Sequence, residues 1–218
     1  MIQIYNDDYI NIIPNLIYDD QFIKFDTLIL DLNNLGPLTI NNYDEFRQNF
    51  ISLMSYCSHT IRHGANIILV CNNLYDNLDI DLIMRNILFW NRQQTLIYKS
   101  NLLENSPLLS EYVTIYWYSD NFRPDDPKPI CNNFTNNQQL SNFIDNKNQV
   151  NVLSKVYKPN FDLYEFLIKM FSNENDLVFD PCMGVGLIGM ACKNLNRNYI
   201  GIERDNKKFK TCEITLNL

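Results

Sequence analysis

Apolar and polar positions along the chain alternate between short strand-like runs and amphipathic helical stretches. Residues 1–5 form a brief apolar run, closed by the polar turn Asn6-Asp7-Asp8. Tyr9, Ile12, Ile13, Leu16 and Ile17 then recur at the spacing of one helix face. Residues 25–30 read as a buried strand ending on Asp31, and residues 32–42 as loop punctuated by Gly36-Pro37. The pattern predicts a helix over 43–62 closed by His63-Gly64, a second buried strand over 66–71 and a helix over 78–89. Residues 90–98 and 112–118 carry the aromatic and β-branched side chains of strands.

Beyond residue 119 the periodicity dissolves. Pro124, Pro127 and Pro129 interrupt it and an Asn/Gln-rich stretch follows, so 119–154 is expected to be an irregular insertion. The last third is the clearest. It reads as a helix over 161–171, a short apolar strand over 177–179, a glycine-containing turn over 181–186, a helix over 187–195 and a strand over 199–202 that ends at Glu203. This alternation predicts an α/β domain with a mostly parallel sheet and helices on both faces. At 218 residues the chain suffices for one such domain, and no internal repeat is visible.

Composition narrows the function classes. The formal charge is −7, which excludes attraction of the whole surface to phosphate. Of 18 basic and 25 acidic residues, 9 and 8 fall in 151–218, so any nucleic acid must meet a local patch such as Lys207, Lys208 and Lys210. Such a run is more often a solvated helix face. Six cysteines without a CxxC pair, and only two histidines, argue against a metal site or a disulfide framework, leaving buried thiols in a reducing compartment. Asn and Ile are abundant, as an AT-rich genome would dictate. No signal pattern opens the chain and no apolar run approaches the roughly 18 residues of a membrane span. A soluble intracellular protein without a membrane partner is expected, in cytoplasm or, for a eukaryotic or viral source, in nucleus or virus factory.

Candidate chemistry concentrates at Asp180-Pro181-Cys182-Met183-Gly184-Val185-Gly186, between a predicted strand and a predicted helix. Glycines in such a turn let the backbone approach a ligand and accept positive φ, although close packing of helix on strand could also select them. Glu203 ends the next strand about 20 residues on, the spacing at which a carboxylate meets ribose hydroxyls in dinucleotide folds. The turn lacks the third spaced glycine of a phosphate fingerprint, and a carboxylate at Asp180 would repel a pyrophosphate. It would suit a ligand with positive groups, such as the amino group and sulfonium of S-adenosylmethionine.

These residues resemble the β-type DNA methyltransferases, which modify exocyclic amino groups of adenine or cytosine. Asp180 to Gly186 resembles the family's Asp-Pro-Phe-x-Gly-x-Gly turn with Cys182 for Phe. Ile200-Gly201-Ile202-Glu203 is similar to its Ile-Gly-Ile-Glu strand end, and Lys158-Pro159 to its Lys-Pro segment. Asp8 falls where the family's Gly-Asp-Cys places an Asp on the cofactor's adenine. The resemblance implies a Rossmann-like S-adenosylmethionine-dependent methyltransferase fold in permuted order, catalytic half first and cofactor half last. It implies S-adenosylmethionine as cofactor, with Asp8, Lys158, Asp180, Pro181, Cys182, Gly184, Gly186 and Glu203 as its candidate contacts.

The family's catalytic tetrapeptide is Asp-Pro-Pro-aromatic. Its carboxylate and a backbone carbonyl accept hydrogen bonds from the target amine, the aromatic stacks on the flipped base, and the prolines fix the geometry. Here the matching residues are Asp31-Leu32-Asn33-Asn34, so Asp31 and Asn34 are the catalytic candidates and both prolines and the ring are replaced. Asp31 reads equally as a capping Asp for the next segment. The interval 119–154 would be a reduced target-recognition region, with Arg123, Lys128 and Lys147 as its basic residues. The implied activity is methylation of DNA on an exocyclic amino group, adenine ahead of cytosine. The alternative is a catalytically inactive homologue that serves as scaffold or partner subunit, as a homodimer or a heterodimer with an active methyltransferase. Methylation of RNA, a protein amide or a small molecule is the third reading.

Overall fold

The computed structural model describes residues 1–18, 24–35, 43–71, 77–88, 91–99, 112–119, 140–145, 148–153 and 161–218. The chain opens with β1 (Ile2–Tyr5) and α1 (Tyr9–Tyr18), then β2 (Phe25–Asp31), α2 (Leu32–Leu35), α3 (Tyr43–Cys57) and β3 (Ile61–Cys71). Next come α4 (Asn77–Leu88), β4 (Asn91–Lys99), β5 (Tyr112–Ser119), β6 (Leu140–Asp145) and β7 (Asn148–Leu153). The final portion is α5 (Phe161–Phe171), β8 (Leu177–Asp180), α6 (Leu187–Asn194), β9 (Asn198–Ile202) and α7 (Asn206–Leu216).

Among the described residues nine strands form one sheet, in the order β1-β9-β8-β2-β3-β5-β4-β7-β6. From β1 to β3 every pairing is parallel, with Tyr5 opposite Ile202, Asp180 opposite Gly201, Leu28 opposite Phe179 and Asp31 opposite Val70. The carboxyl ends of five strands therefore share one edge, which is where open α/β sheets bind ligands. The last strands in sequence, β8 and β9, insert between β1 and β2, giving the permuted order.

Side-chain alternation builds a core on each face of the sheet. Leu28, Leu30, Ile67 and Leu69 pack with Ile13, Phe46, Phe50 and Leu53 of α1 and α3. Ile29, Ile68 and Val70 pack with Leu163, Leu167 and Phe171 of α5, Ile188 of α6 and Leu216 of α7. Phe25 and Phe179 stack at 4.1 Å between ring centroids, locking β2 to β8.

Three expectations are corrected. The helix predicted over 43–62 ends at Cys57, where Thr60 N and Oγ1 both donate to Cys57 O at 3.0 Å. Residues 61–65 extend β3 instead. Phe25 N donates to Thr60 O at 2.8 Å, and Gly64 (φ +76°) lies in the irregular stretch where the register jumps from Ile61 to Asn66. Within the loop expected over 32–42, Leu32–Leu35 forms a helical turn anchored by two buried leucines. Within 119–154, expected to be irregular, β6 and β7 form an antiparallel hairpin, and β7 runs parallel to β4. Backbone pairing carries strands whose Asn and Gln content hides the alternation. No helix of the described residues is long and apolar enough to cross a membrane.

Candidate active site

At the end of β8 the chain bends sharply. Met183 N donates to Ile202 O at 2.9 Å and Gly186 N to Met183 O at 3.0 Å, which closes the turn against β9. Gly184 and Gly186 both have positive φ, +57° and +83°. A Cβ on Gly186 would lie 2.4 Å from Cys212 Sγ of α7, so this glycine serves the approach of two helices. A Cβ on Gly184 would lie 3.0–3.2 Å from the side chain of Asn34, so this one brings the turn against α2.

Glu203, 6% exposed, follows β9 directly. Its Oε2 accepts from Gly184 N at 2.9 Å and its Oε1 from Asp205 N at 2.7 Å. Asn6 Nδ2 donates to Glu203 O at 2.9 Å, which ties the segment after β1 to the end of β9. Each carboxylate oxygen has lone-pair capacity for a further donor.

These ends border an open cleft of about 510 Å³, its mouth and the adjoining solvent included. Ile10, Leu35, Pro181 and Ile202 supply apolar walls, and Asn34, Asn49 and Cys182 add to the lining. Three carboxylates, Asp7, Asp8 and Glu203, line it against one guanidinium, Arg204, whose Nη1 is 3.5 Å from Asp8 Oδ2. Asp8 Oδ1 also accepts from Ile10 N at 3.1 Å at the start of α1. The excess of negative charge favours a cationic ligand and disfavours a phosphate. Tyr9, whose hydroxyl donates to Asn49 O at 3.2 Å, is pushed up to about 12 by burial and stays neutral.

Asp180 is fully buried and is not among the residues lining this cleft. Its Oδ2 accepts from Tyr199 Oη at 3.0 Å and its Oδ1 from Cys182 N at 3.4 Å. Burial pushes its carboxyl up to about 8, against the opposing pull of those two bonds. The carboxylates that face the cleft are therefore Asp7, Asp8 and Glu203, and the charge suited to a cationic ligand is theirs and not that of Asp180. Burial, aided by Asp180, also raises the Cys182 thiol well above its ordinary value, leaving a small neutral group in the cleft wall.

Asp31 ends β2, beside β8. Its Oδ2 accepts from Tyr164 Oη of α5 at 2.6 Å. Leu32 and Leu35 are 0% and 5% exposed and belong to the core, so α2 is held from beneath while Asn34 reaches the cleft. The structure thus brings Asp8, Asn34, Pro181, Cys182 and Glu203 to one cleft. Gly184 is bonded to Glu203, while Gly186 and Asp180 face the interior. Lys158 lies outside the described residues. Lys207, Lys208 and Lys210 lie exposed on α7.

Comparisons with known proteins bear on the family and the fold. The family described as DNA methylase, the N6/N4 methyltransferases, matches residues 28–213. The chain belongs to the N6/N4 DNA methylase family. It is 26% identical over 216 residues to the type II methyltransferase M.HinfI of Haemophilus influenzae, covering 82% of this chain and 58% of that protein's length. Over 47 residues it is 51% identical to M.HpaI of Haemophilus parainfluenzae, covering 22% of this chain and 15% of that protein. The crystal structure of an M1.HpyAVI–SAM complex shares the fold, with a TM-score of 0.73, 23% identity and full coverage of both chains.

Several residues that shape this cleft carry no motif signal in the sequence. Arg204 follows Glu203 directly and could have been flagged by adjacency. Asn6 sits inside the noted polar turn. Tyr164 and Tyr199 gave no signal, because each lies in an apolar run and reads as a core aromatic. Among the described residues no group of three or more His, Cys, Asp or Glu side chains is disposed to hold a metal.

Proposed function

We propose that this protein is an S-adenosylmethionine-dependent DNA methyltransferase acting on an exocyclic amino group, with adenine the base to test ahead of cytosine. The observation that carries the reading is the cleft at the carboxyl ends of β1, β8 and β9, where Glu203 lies against the Gly184 turn within an acidic lining. The residues present fit the cofactor. Glu203 has acceptor capacity for ribose hydroxyls, Asp8 for an adenine amino group, and the carboxylates of the lining suit a ligand with ammonium and sulfonium charge. Pro181, Cys182 and Ile202 offer apolar walls. The cofactor supplies an electrophilic methyl group. Asp31 and the Leu32 carbonyl accept hydrogen bonds from the target amine and so turn its lone pair away from the protein and toward that methyl. Lys158 would belong to the same site.

With a net charge of −7, DNA contact must be local, and exposed Lys207, Lys208 and Lys210 are the nearest candidates in sequence to the cleft residues Glu203 and Arg204.

Purified protein with labelled cofactor and a panel of unmethylated DNAs tests the reading, the product bases being separated into N6-methyladenine and N4-methylcytosine. Label in either base, lost in Asp31→Ala, is the expected result. Cofactor binding without transfer to any DNA overturns it and favours a second reading, an inactive homologue that acts as scaffold or partner subunit. The feature favouring that second reading is Asn34, which stands against Gly184 where the family has an aromatic ring. A partner methyltransferase retained through purification would then be expected, in a homodimer-competent or heterodimeric assembly.

A further inference from the structure

Because Leu32 and Asn33 replace the two prolines, something else must fix Asp31. We propose that Tyr164 is a positioning residue that orients the Asp31 carboxylate toward its target amine by donating its hydroxyl hydrogen bond. This inference rests on the amino-methylation reading above.

The contact has the features such a role demands. At 2.6 Å it lies in the range of charge-assisted O–H···O⁻ bonds, which are about twice as strong as neutral ones. Tyr164 is 5% exposed and is clamped in the core with Leu163, Leu167 and Ile168 of its own helix, so its hydroxyl has little freedom to wander. Burial, reinforced by Asp31, raises the Tyr164 hydroxyl well above its ordinary value, so it remains a donor throughout the working pH range. The bond links residues 133 apart in sequence and joins the helix that precedes the cofactor turn to the strand of the tetrapeptide. Buried Leu32 and Leu35 fix the backbone of α2. Tyr164 fixes the carboxylate above it. A buried tyrosine hydroxyl requires some partner, but nothing in packing alone requires the partner to be this aspartate.

The test compares wild type, Tyr164→Phe, Asp31→Asn and the double variant of the full chain. Phe fills the same space without the hydroxyl. Tyr164→Phe is expected to lower kcat for methyl transfer about tenfold while the KM for DNA and the Kd for S-adenosylmethionine stay within about twofold, the pattern of an interaction that acts on the transition state. In thermal melting, the losses from Tyr164→Phe and Asp31→Asn are expected to be non-additive, the second substitution adding less than half of its separate effect. A kcat within twofold of wild type, or melting losses that add, overturns the proposal. If wild type methylates no DNA at all, the methylation reading fails separately, and additivity in the melting cycle alone decides whether Tyr164 holds Asp31.

Discussion

Two strand-to-helix turns stand side by side at the same edge of the sheet, and they are built by opposite means. The turn after β8 is made by backbone: Gly184 and Gly186 take left-handed angles, and the amide of Gly184 meets Glu203. The turn after β2 is made by side chains: Leu32 and Leu35 sink into the core, and Asp31 is gripped by a tyrosine from another helix. The first matches the pattern of the family's cofactor turn closely, with Cys182 as the departure. The second keeps only the acid of the tetrapeptide. The contrast teaches that a site made by main-chain geometry tolerates few substitutions. One made by packed side chains can change its residues and still hold a carboxylate in place.

Four substitutions probe that contrast. The largest effect is expected from Asp31→Ala, which should lower methyl transfer by about 10²–10³-fold, the cost of losing one polar group aimed at the reacting centre. Calorimetric titration should show cofactor affinity unchanged. If affinity falls in parallel, the two turns are one unit.

Gly186→Ala comes next. A left-handed alanine costs about 1–2 kcal/mol, and its Cβ would overlap Cys212 Sγ. A total of about 2–3 kcal/mol corresponds to a Tm lower by roughly 4–12 °C for a domain of this size. Adding Cys212→Ala should recover the part due to overlap and none of the part due to φ.

Asn34→Tyr restores the ring of the family motif. Base stacking contributes on the order of 1–3 kcal/mol. The lower figure applies here, because a larger side chain must turn away from Gly184. A roughly fivefold rise in kcat/KM for DNA is expected. A fall would mean that Asn34 is fitted to the Gly184 turn rather than to a base.

The fourth effect is a slope of stability against pH. Asp180 carries its proton in the folded state up to about pH 8, whereas an ordinary Asp releases it near 3.8. Between those values the folded state binds more protons than the unfolded one, so stability falls as pH rises from about 4 to about 8 and levels off above. Asp180→Asn should flatten the Tm–pH curve across that window. An unchanged slope would assign it to other groups.

The same contrast marks how far the sequence could be read. The sequence places β8, α6 and β9 to within a residue or so, because short apolar runs buried on both faces of a parallel sheet are bounded sharply by Asp180, the glycines and Glu203. The end of β2 at Asp31 was equally plain. The end of α3 was not, since Ile61-Arg62-His63 fits a helical period as well as an extended one, and the choice was made by pairing with Phe25. Nor was the β6–β7 hairpin, whose register depends on β4, some fifty residues earlier. Of the residues lining the cleft, Glu203 stands out by its spacing from the glycine turn and Asp8 only by the family resemblance. The grip of Tyr164 on Asp31 and the retreat of Asp180 beneath Tyr199 carry no such signal, because both are contacts between distant segments that no local pattern encodes.

The carboxylate of Glu203 already has both oxygens on main-chain amides, one from each side. Freezing a long flexible side chain during association ordinarily takes about 0.5–1.5 kcal/mol from affinity. Here that rotamer loss has been met at folding. Under the proposed role of Glu203, a nucleoside at this edge would meet an acceptor already immobile, and most of what its hydroxyls gain on contact would be expressed as tighter binding.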